Sequence, residues 1–110
     1  METNINTVKG ITVVGLDGKL DSKTVPAVQT SISPLIQAHS KIVLDMTRVT
    51  YLSSAGLRLL VMMHREVSEG GGKLVLAGLT ERARDTMAIT GFLPYFTTFE
   101  TVEAALAALQ

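Results

Sequence analysis

The amino-acid sequence predicts an α/β domain with a mixed, mostly parallel sheet of four to five strands and about four helices packed on it. Its 110 residues are the length of one domain, and we expect residues 1–110 to form it. Runs of β-branched and apolar residues, typical of strands, alternate with segments whose apolar residues recur every three or four positions, as in helices. The first two strand-like runs are consecutive, so a hairpin is expected before the parallel strands.

The N-terminal segment is predicted to form this hairpin. Residues 5–8 alternate weakly between apolar and polar side chains, which indicates an edge strand. Lys9-Gly10 is a turn signal, and residues 11–16 are β-branched and apolar, which favours a second strand. Asp17-Gly18 is also a turn signal, so we expect the second strand to end there.

A first helix is predicted next. Asp21 or Ser22 is expected to cap it, and Pro26 is tolerated in its first turn. Pro34 interrupts the helical pattern, because proline lacks the N–H that a helix needs, and predicts a kink or a restart. The apolar positions with helical spacing are Val25, Val28, Ile32, Leu35 and Ile36.

The central stretch of the chain joins a buried strand to the second helix. Residues 41–45 favour the strand, and residues 61–67 belong to the helix. Ser53 and Ser54 fall at the junction. One of them can cap the helix by accepting a hydrogen bond from an unpaired backbone N–H. The other is then expected in the first turn, with its hydroxyl near water, where the helix dipole favours negative charge.

The second helix is predicted to be amphipathic. Its buried face comprises Leu57, Leu60, Val61 and Val67, widened by Leu59 and Met63. The opposite stripe, spaced by three and four residues, comprises Ser54, Arg58, Met62, Arg65 and Glu69.

The C-terminal part continues the alternation. Residues 69–73 are glycine-rich and end the second helix, and residues 74–77 indicate a buried parallel strand. Thr80 is expected to cap a short helix that reaches residue 89. Residues 96–99 favour a last strand, and a final helix is expected from about Thr101.

Composition excludes several classes of function. Lys and Arg equal Asp and Glu at 10 each, and aromatic residues make up 5%, so neither nucleic-acid nor membrane-surface binding is supported. The chain has no cysteine, which excludes disulfides and thiolate metal sites. The N-terminus lacks the features of a signal peptide, and no run is long enough to span a membrane. The expected location is therefore the cytoplasm.

Enzymatic motifs are incomplete. A serine hydrolase elbow needs a glycine two positions before its nucleophile, but Leu52 precedes Ser54 there. The glycines before Lys73 follow a helix, and Leu74 replaces the Ser or Thr of a phosphate-binding loop. His39, His64 and the carboxylates show no metal-ligand spacing, and His64 alone is expected to be an ordinary, satisfied helix residue. We therefore predict no catalytic residue, metal or cofactor.

A regulatory role is the remaining interpretation. A serine at a helix N-terminus can accept a phosphate, which adds about −1.5 to −2 charges. The fold should tolerate this charge, but a partner docked on the same stripe would not. From the residues alone, a simple helix cap remains the stronger interpretation of Ser53-Ser54.

The chain resembles the anti-sigma factor antagonists, which carry the STAS domain. Residues 51–58, Tyr-Leu-Ser-Ser-Ala-Gly-Leu-Arg, resemble the family signature, and they follow residues 43–46, Val-Leu-Asp-Met. Residues 18–21, Gly-Lys-Leu-Asp, resemble a second family segment, and residues 90–92, Thr-Gly-Phe, a third. The resemblance covers nearly the whole chain.

This resemblance implies a function. The family binds an anti-sigma factor, usually a serine kinase of the GHKL type, and so releases a sigma factor; the kinase phosphorylates one serine and a phosphatase reverses the change. Carried over, the acceptor is Ser54, with Ser53 as the alternative, and Asp21 is the acidic residue near it. The residues implicated in partner binding are Asp21, Ser53, Ser54, Gly56, Leu57, Arg58, Met62 and Phe92.

Two positions depart from the common family motif. Ser53 stands where the motif has Asp, which removes a negative charge beside the acceptor, and Ala55 stands where Ser or Thr is frequent. With these departures, the resemblance still implies a cytoplasmic phosphoprotein that acts in the regulation of transcription. We expect a monomer or weak dimer that is not an enzyme. The alternatives are a STAS partner-switching module that does not govern a sigma factor and, last, a small serine hydrolase.

Overall fold

A computed structural model describes all 110 residues. It contains five strands and four α-helices, in the order expected from the sequence, and two short 3₁₀ turns at Ser33–Leu35 and Leu93–Tyr95. The elements are β1 (Glu2–Val8), β2 (Ile11–Leu20), α1 (Val25–Ile32), β3 (Lys41–Leu52), α2 (Ser54–Glu69), β4 (Lys73–Ala77), α3 (Glu81–Ile89), β5 (Thr98–Phe99) and α4 (Val102–Leu109).

The five strands form one mixed sheet in the order β1-β2-β3-β4-β5. The pair β1–β2 is antiparallel, and the other three pairs are parallel. This arrangement follows from the connections, since a tight turn can join only antiparallel strands and each parallel strand needs a crossover. The predicted fold class, including the hairpin and the mostly parallel sheet, is confirmed.

Helices cover both faces of the sheet. α1, α2 and α3 pack on one face and form the larger core, in which Val28, Leu60 and Met87 are fully or almost fully buried. α4 packs on the other face, where Ala105 and Leu109 contact a smaller apolar cluster that includes Val43. None of the four α-helices has the length and apolar character of a membrane-spanning segment. The two cores hold the sheet rigidly between the helices, so its edge forms a stable base for a surface site.

The second strand is longer than the sequence predicts. Asp17-Gly18 was expected to be a turn, but β2 continues through it to Leu20. The register with β3 shifts between Gly15 and Asp17 and again between Gly18 and Lys19. These irregularities absorb the turn-forming residues as bulges, and Gly18, with a φ of 121°, adopts a conformation that favours glycine.

The third strand is extended in the same way. The predicted strand covered residues 41–45, whereas β3 runs to Leu52 because the extended β2 offers it a partner along this length. Leu20 and Leu52 are paired, so β2 and β3 end together. In contrast, β5 is limited to Thr98–Phe99, shorter than the predicted residues 96–99.

Most helix boundaries match their local signals. The side-chain oxygens of Thr80 and Thr101 accept hydrogen bonds from backbone N–H groups three residues on. This confirms the predicted cap at Thr80 and the predicted start of the last helix at about Thr101. Ser33–Leu35 is a separate 3₁₀ turn, as the restart at Pro34 requires. The predicted cap of α1 is wrong: α1 begins at Val25, after Thr24, while Asp21 closes the preceding turn.

Candidate functional site

The two serines divide the roles that the sequence left open between them. Ser53 is the N-cap of α2: its Oγ accepts a hydrogen bond from the Gly56 N–H at 3.2 Å. The Ser53 N–H donates to the Leu20 carbonyl at 3.0 Å, which ties the helix start to the end of β2. Ser54 is the first residue of α2, and it is exposed and makes no side-chain hydrogen bond. Its hydroxyl therefore faces solvent at the positive end of the helix dipole.

Gly56 brings the first turn of α2 against the strand ends. A Cβ at this position would overlap the Leu20 carbonyl oxygen and would lie 2.9 Å from Leu20 Cγ and 3.0 Å from Leu52 Cδ1. Neighbouring Leu57 is only 4% exposed and packs in the core. Leu57 was predicted on the buried face of α2, and its burial is confirmed; Gly56 is buried as well. Both were also expected at a partner interface, and from their buried positions they hold the surface of this turn in place.

Asp21 lies at the same edge of the sheet as Ser54. It follows Leu20 directly, and the Leu20 carbonyl is the acceptor of the Ser53 N–H. One carboxylate oxygen of Asp21 accepts hydrogen bonds from the N–H groups of Lys23 at 3.0 Å and Thr24 at 3.2 Å. The turn after β2 thus holds the carboxylate in place one residue beyond Leu20, whose carbonyl is bonded to the start of α2.

A groove between α1 and α2 begins next to Ser54. Arg58 is exposed and Met62 is half-buried, one and two turns along the helix from Ser54. The groove has a volume of about 230 Å³. Its lining residues are Ser22, Val25, Pro26, Ala55, Arg58, Leu59 and Met62. Apolar groups form most of this lining, so the groove can accept an apolar side chain beside the serine.

Phe92 lies apart from the rest of the expected site. It follows α3 and stacks edge-on against Tyr95, with 6.1 Å between the ring centroids. The Tyr95 ring in turn packs against the His64 imidazole, with 4.8 Å between the ring centroids. His64 is ten residues after Ser54 on α2, which is about 15 Å along the helix axis. The structure therefore brings together the expected residues at the start of α2 but places Phe92 on a separate apolar patch with Tyr95.

His64 is a half-buried residue whose Nδ1 atom differs from the sequence-based expectation. Its Nδ1 is buried and has no hydrogen-bond partner, although a satisfied helix residue was expected. Tyr95 and Phe96 pack against the imidazole, with ring centroids at 4.8 and 5.4 Å. Burial among these rings lowers the pKa of His64 below its ordinary value of 6.5, because the charged form is poorly solvated there. No group of three or more His, Cys, Asp or Glu side chains is arranged to hold a metal ion.

Comparison with known proteins identifies the family. The STAS domain model matches residues 2–105, almost the whole chain. The chain belongs to the STAS domain family. Among curated proteins, BtrV of Bordetella bronchiseptica, provisionally named an anti-sigma factor antagonist, is 29% identical, and the match covers 100% of this chain and 96% of BtrV.

Solved structures agree with this assignment. The crystal structure of an anti-sigma factor antagonist from Mycobacterium paratuberculosis is 25% identical, with a TM-score of 0.88 over 98% of this chain and 92% of that one. The Bacillus cell fate determinant SpoIIAA in its phosphorylated form matches with a TM-score of 0.74 at 21% identity, over 99% of this chain and 100% of SpoIIAA. The second likeness shows that the fold is shared.

The half-buried His64 should make the stability of this STAS domain depend on pH. The unfolded chain takes up a proton at His64 before the folded protein does, so the free energy of unfolding should decrease as the pH falls through about 6.5. His64→Phe keeps an aromatic ring and should flatten this decrease between pH 7.5 and 5. Urea denaturation at several pH values measures the free energy of unfolding for each protein.

The second histidine provides the matched control for this experiment. His39 is exposed and has a positive φ of 62°, so His39→Asn suits the backbone and should retain the pH dependence of the wild type. Equal decreases in the wild type and in His64→Phe would contradict the assignment to His64.

Proposed function

We propose that this STAS domain is an anti-sigma factor antagonist, a protein-binding module and not an enzyme, which binds an anti-sigma factor and thereby releases a sigma factor. The observation that carries the proposal is the position of Ser54: its hydroxyl is exposed at the start of α2, while Ser53 fills the capping role. The likeness to BtrV, which spans both chains almost completely, supports the same function. We place the protein in the cytoplasm, as a monomer or weak dimer.

Phosphorylation of Ser54 is the proposed switch. The anti-sigma factor is a serine kinase of the GHKL type, which brings its own ATP. The Ser54 Oγ attacks the γ-phosphorus of ATP, the bond from that phosphorus to the β-phosphate oxygen breaks, ADP leaves, and the hydroxyl proton passes to a base of the kinase. A phosphatase reverses the change by adding water to the phosphoserine, which releases inorganic phosphate. The antagonist itself needs no cofactor.

The geometry of the site favours Ser54 over Ser53 as the acceptor. The Ser53 hydroxyl is half-buried and already accepts the Gly56 N–H, so its modification would disturb the helix cap. A phosphate on Ser54 would instead lie in water near the free N–H groups of the first turn, where negative charge is favourable. The carboxylate of Asp21, held at the same edge, is the proposed contact for the kinase.

A serine hydrolase fits the geometry poorly. Ser54 has no hydrogen bond to a base, and the histidine on the same helix, His64, lies about 15 Å along the axis. A partner-switching module outside sigma-factor control uses the same surface, so the identity of the captured partner distinguishes it from the proposed function. A kinase-type anti-sigma factor supports the proposal, and any other regulator supports the alternative.

Substitution of each serine tests the acceptor. We expect Ser54→Ala to abolish phosphorylation by the cognate kinase and ATP, because the attacking oxygen is removed. Mass spectrometry of the intact protein and of its peptides measures the incorporated phosphate. Ser53→Ala is the matched control: it should lower stability by about 1 kcal/mol through loss of the cap but should keep phosphorylation. Phosphate on Ser53 alone, or retained by Ser54→Ala, would contradict the assignment.

A further inference from the structure

Arg58 is a free cation one turn after the acceptor. Residues four apart lie on the same face of a helix, so Arg58 and Ser54 are neighbours on the exposed side of α2. The Arg58 side chain is exposed and makes neither an ion pair nor a hydrogen bond; the one ion pair of the protein joins Arg48 to Asp17 at 3.7 Å. Its guanidinium is therefore available to an anion.

Arg58 also lines the groove between α1 and α2. The floor and walls of the groove are largely apolar, with Val25, Leu59 and Met62 among its lining. Lys23, in the turn that leads into α1, is also exposed and unpaired. One carboxylate oxygen of Asp21 accepts hydrogen bonds from two backbone N–H groups, and neither cation is paired with it. An apolar groove with unpaired cations beside it complements a partner segment that carries an apolar side chain close to a carboxylate.

We propose that Arg58 has two alternative anions: a carboxylate of the partner when Ser54 is unmodified, and the Ser54 phosphate when it is modified. This inference rests on the proposed function. In the unmodified protein, the guanidinium lies at the mouth of the groove and receives the acidic group of the docked segment. In the phosphorylated protein, the Arg58 side chain rotates toward the N-terminus of α2 and pairs with the phosphate on Ser54. Modification thus adds a negative charge and also removes the positive charge that the partner needs.

The chemistry of the two groups supports this exchange. A phosphoserine carries about −1.5 to −2 charges and three strong acceptor oxygens. Guanidinium binds phosphate through two parallel N–H···O bonds, and charge-assisted bonds of this kind are about twice as strong as neutral ones. The pair lies within one helix, so its formation requires rotation of a side chain and no movement of the backbone.

The phosphate arm of the proposal can be tested without a kinase. Phosphoserine is placed at position 54 by genetic encoding in the full chain, and its second ionisation is followed by ³¹P NMR as a function of pH. Pairing with Arg58 favours the dianion, so the second pKa of the phosphate, which is ordinarily about 6, should be lower in the wild type than in Arg58→Gln by about half a unit or more.

Arg65→Gln is the matched control for this titration. Arg65 is exposed on the same face of α2, but it lies eleven residues after Ser54, about 16 Å along the axis. Arg65→Gln should therefore keep the wild-type phosphate pKa. The same pKa in Arg58→Gln as in the wild type, or an equal rise in both variants, would overturn the pairing.

The role of Arg58 in partner binding is tested with the unphosphorylated protein and the kinase captured with it. Isothermal titration calorimetry should show affinity about tenfold weaker for Arg58→Gln and within about twofold of the wild type for Arg65→Gln. Unchanged affinity of Arg58→Gln would overturn the role of Arg58 in docking. Failure of the wild type to bind any anti-sigma factor would instead contradict the proposed function, and the NMR titration would still decide the phosphate pairing.

Discussion

Phosphoserine at position 54 is expected to weaken binding to the anti-sigma factor kinase by at least about 100-fold. A partner that covers the start of α2 must remove the phosphate from water, and a desolvated charge without a counterpart costs several kcal/mol. Each 1.4 kcal/mol corresponds to a factor of about ten in affinity, so about 3 kcal/mol suffices for this effect. Isothermal titration calorimetry with genetically encoded phosphoserine measures it directly.

The fold itself should be unaffected by this modification. Ser54 is exposed at the favourable end of the helix dipole, so the free energy of unfolding should change by no more than about 0.5 kcal/mol. Phosphoserine at Ser33, which is exposed after the end of α1, serves as a charge-matched control and should leave affinity unchanged. An equal loss of affinity at both positions would indicate an effect of net charge and would contradict a local mechanism.

Gly56→Ala should cause a large loss of stability for a single added methyl group. The new Cβ overlaps the Leu20 carbonyl oxygen, a backbone atom that already accepts the Ser53 N–H and cannot move aside freely. Overpacking of this kind typically costs about 1–3 kcal/mol, from which the better helix propensity of alanine subtracts at most about 1 kcal/mol. Urea denaturation monitored by circular dichroism measures the change in the free energy of unfolding.

The same helix offers a control substitution at its other end. Gly70 follows α2, and a Cβ there would meet its nearest atom at 3.6 Å, an ordinary contact. Its φ of −82° is available to any residue. Gly70→Ala should therefore be within about 0.5 kcal/mol of the wild type. If Gly56→Ala were equally mild, the close approach of α2 to β2 would not constrain this position.

The parts of the fold that local chemistry specifies were predictable from the sequence. Thr80 and Thr101 cap their helices because a threonine oxygen satisfies the N–H three residues on, whatever the surroundings. At Asp17-Gly18, local chemistry alone does not determine the structure. The dipeptide favours a turn, but pairing of β2 with β3 continues past it, and the energy of a long ladder outweighs a local preference. That competition depends on a partner strand some thirty residues away.

The candidate site was predictable to a similar extent. The division of roles at the serine pair follows from capping chemistry, although only the structure assigns the cap to Ser53. The helical spacing predicted the burial of Leu57, but not that of Gly56, because a glycine has no side chain to mark it as apolar. The missing hydrogen-bond partner of His64 depends on Tyr95 and Phe96, which reach it from a distant part of the chain.

The bond between the Ser53 N–H and the Leu20 carbonyl has a consequence for response time. This hydrogen bond fixes the start of α2 to the end of β2. Gly56 packs closely against Leu20, which further restricts movement of the first turn. The proposed switch therefore requires rotation of a side chain but no movement of the backbone at the start of α2. Under the proposed switch, the delay between a signal and its effect would then be set by how fast the kinase and the phosphatase turn over and by how fast the bound partner dissociates.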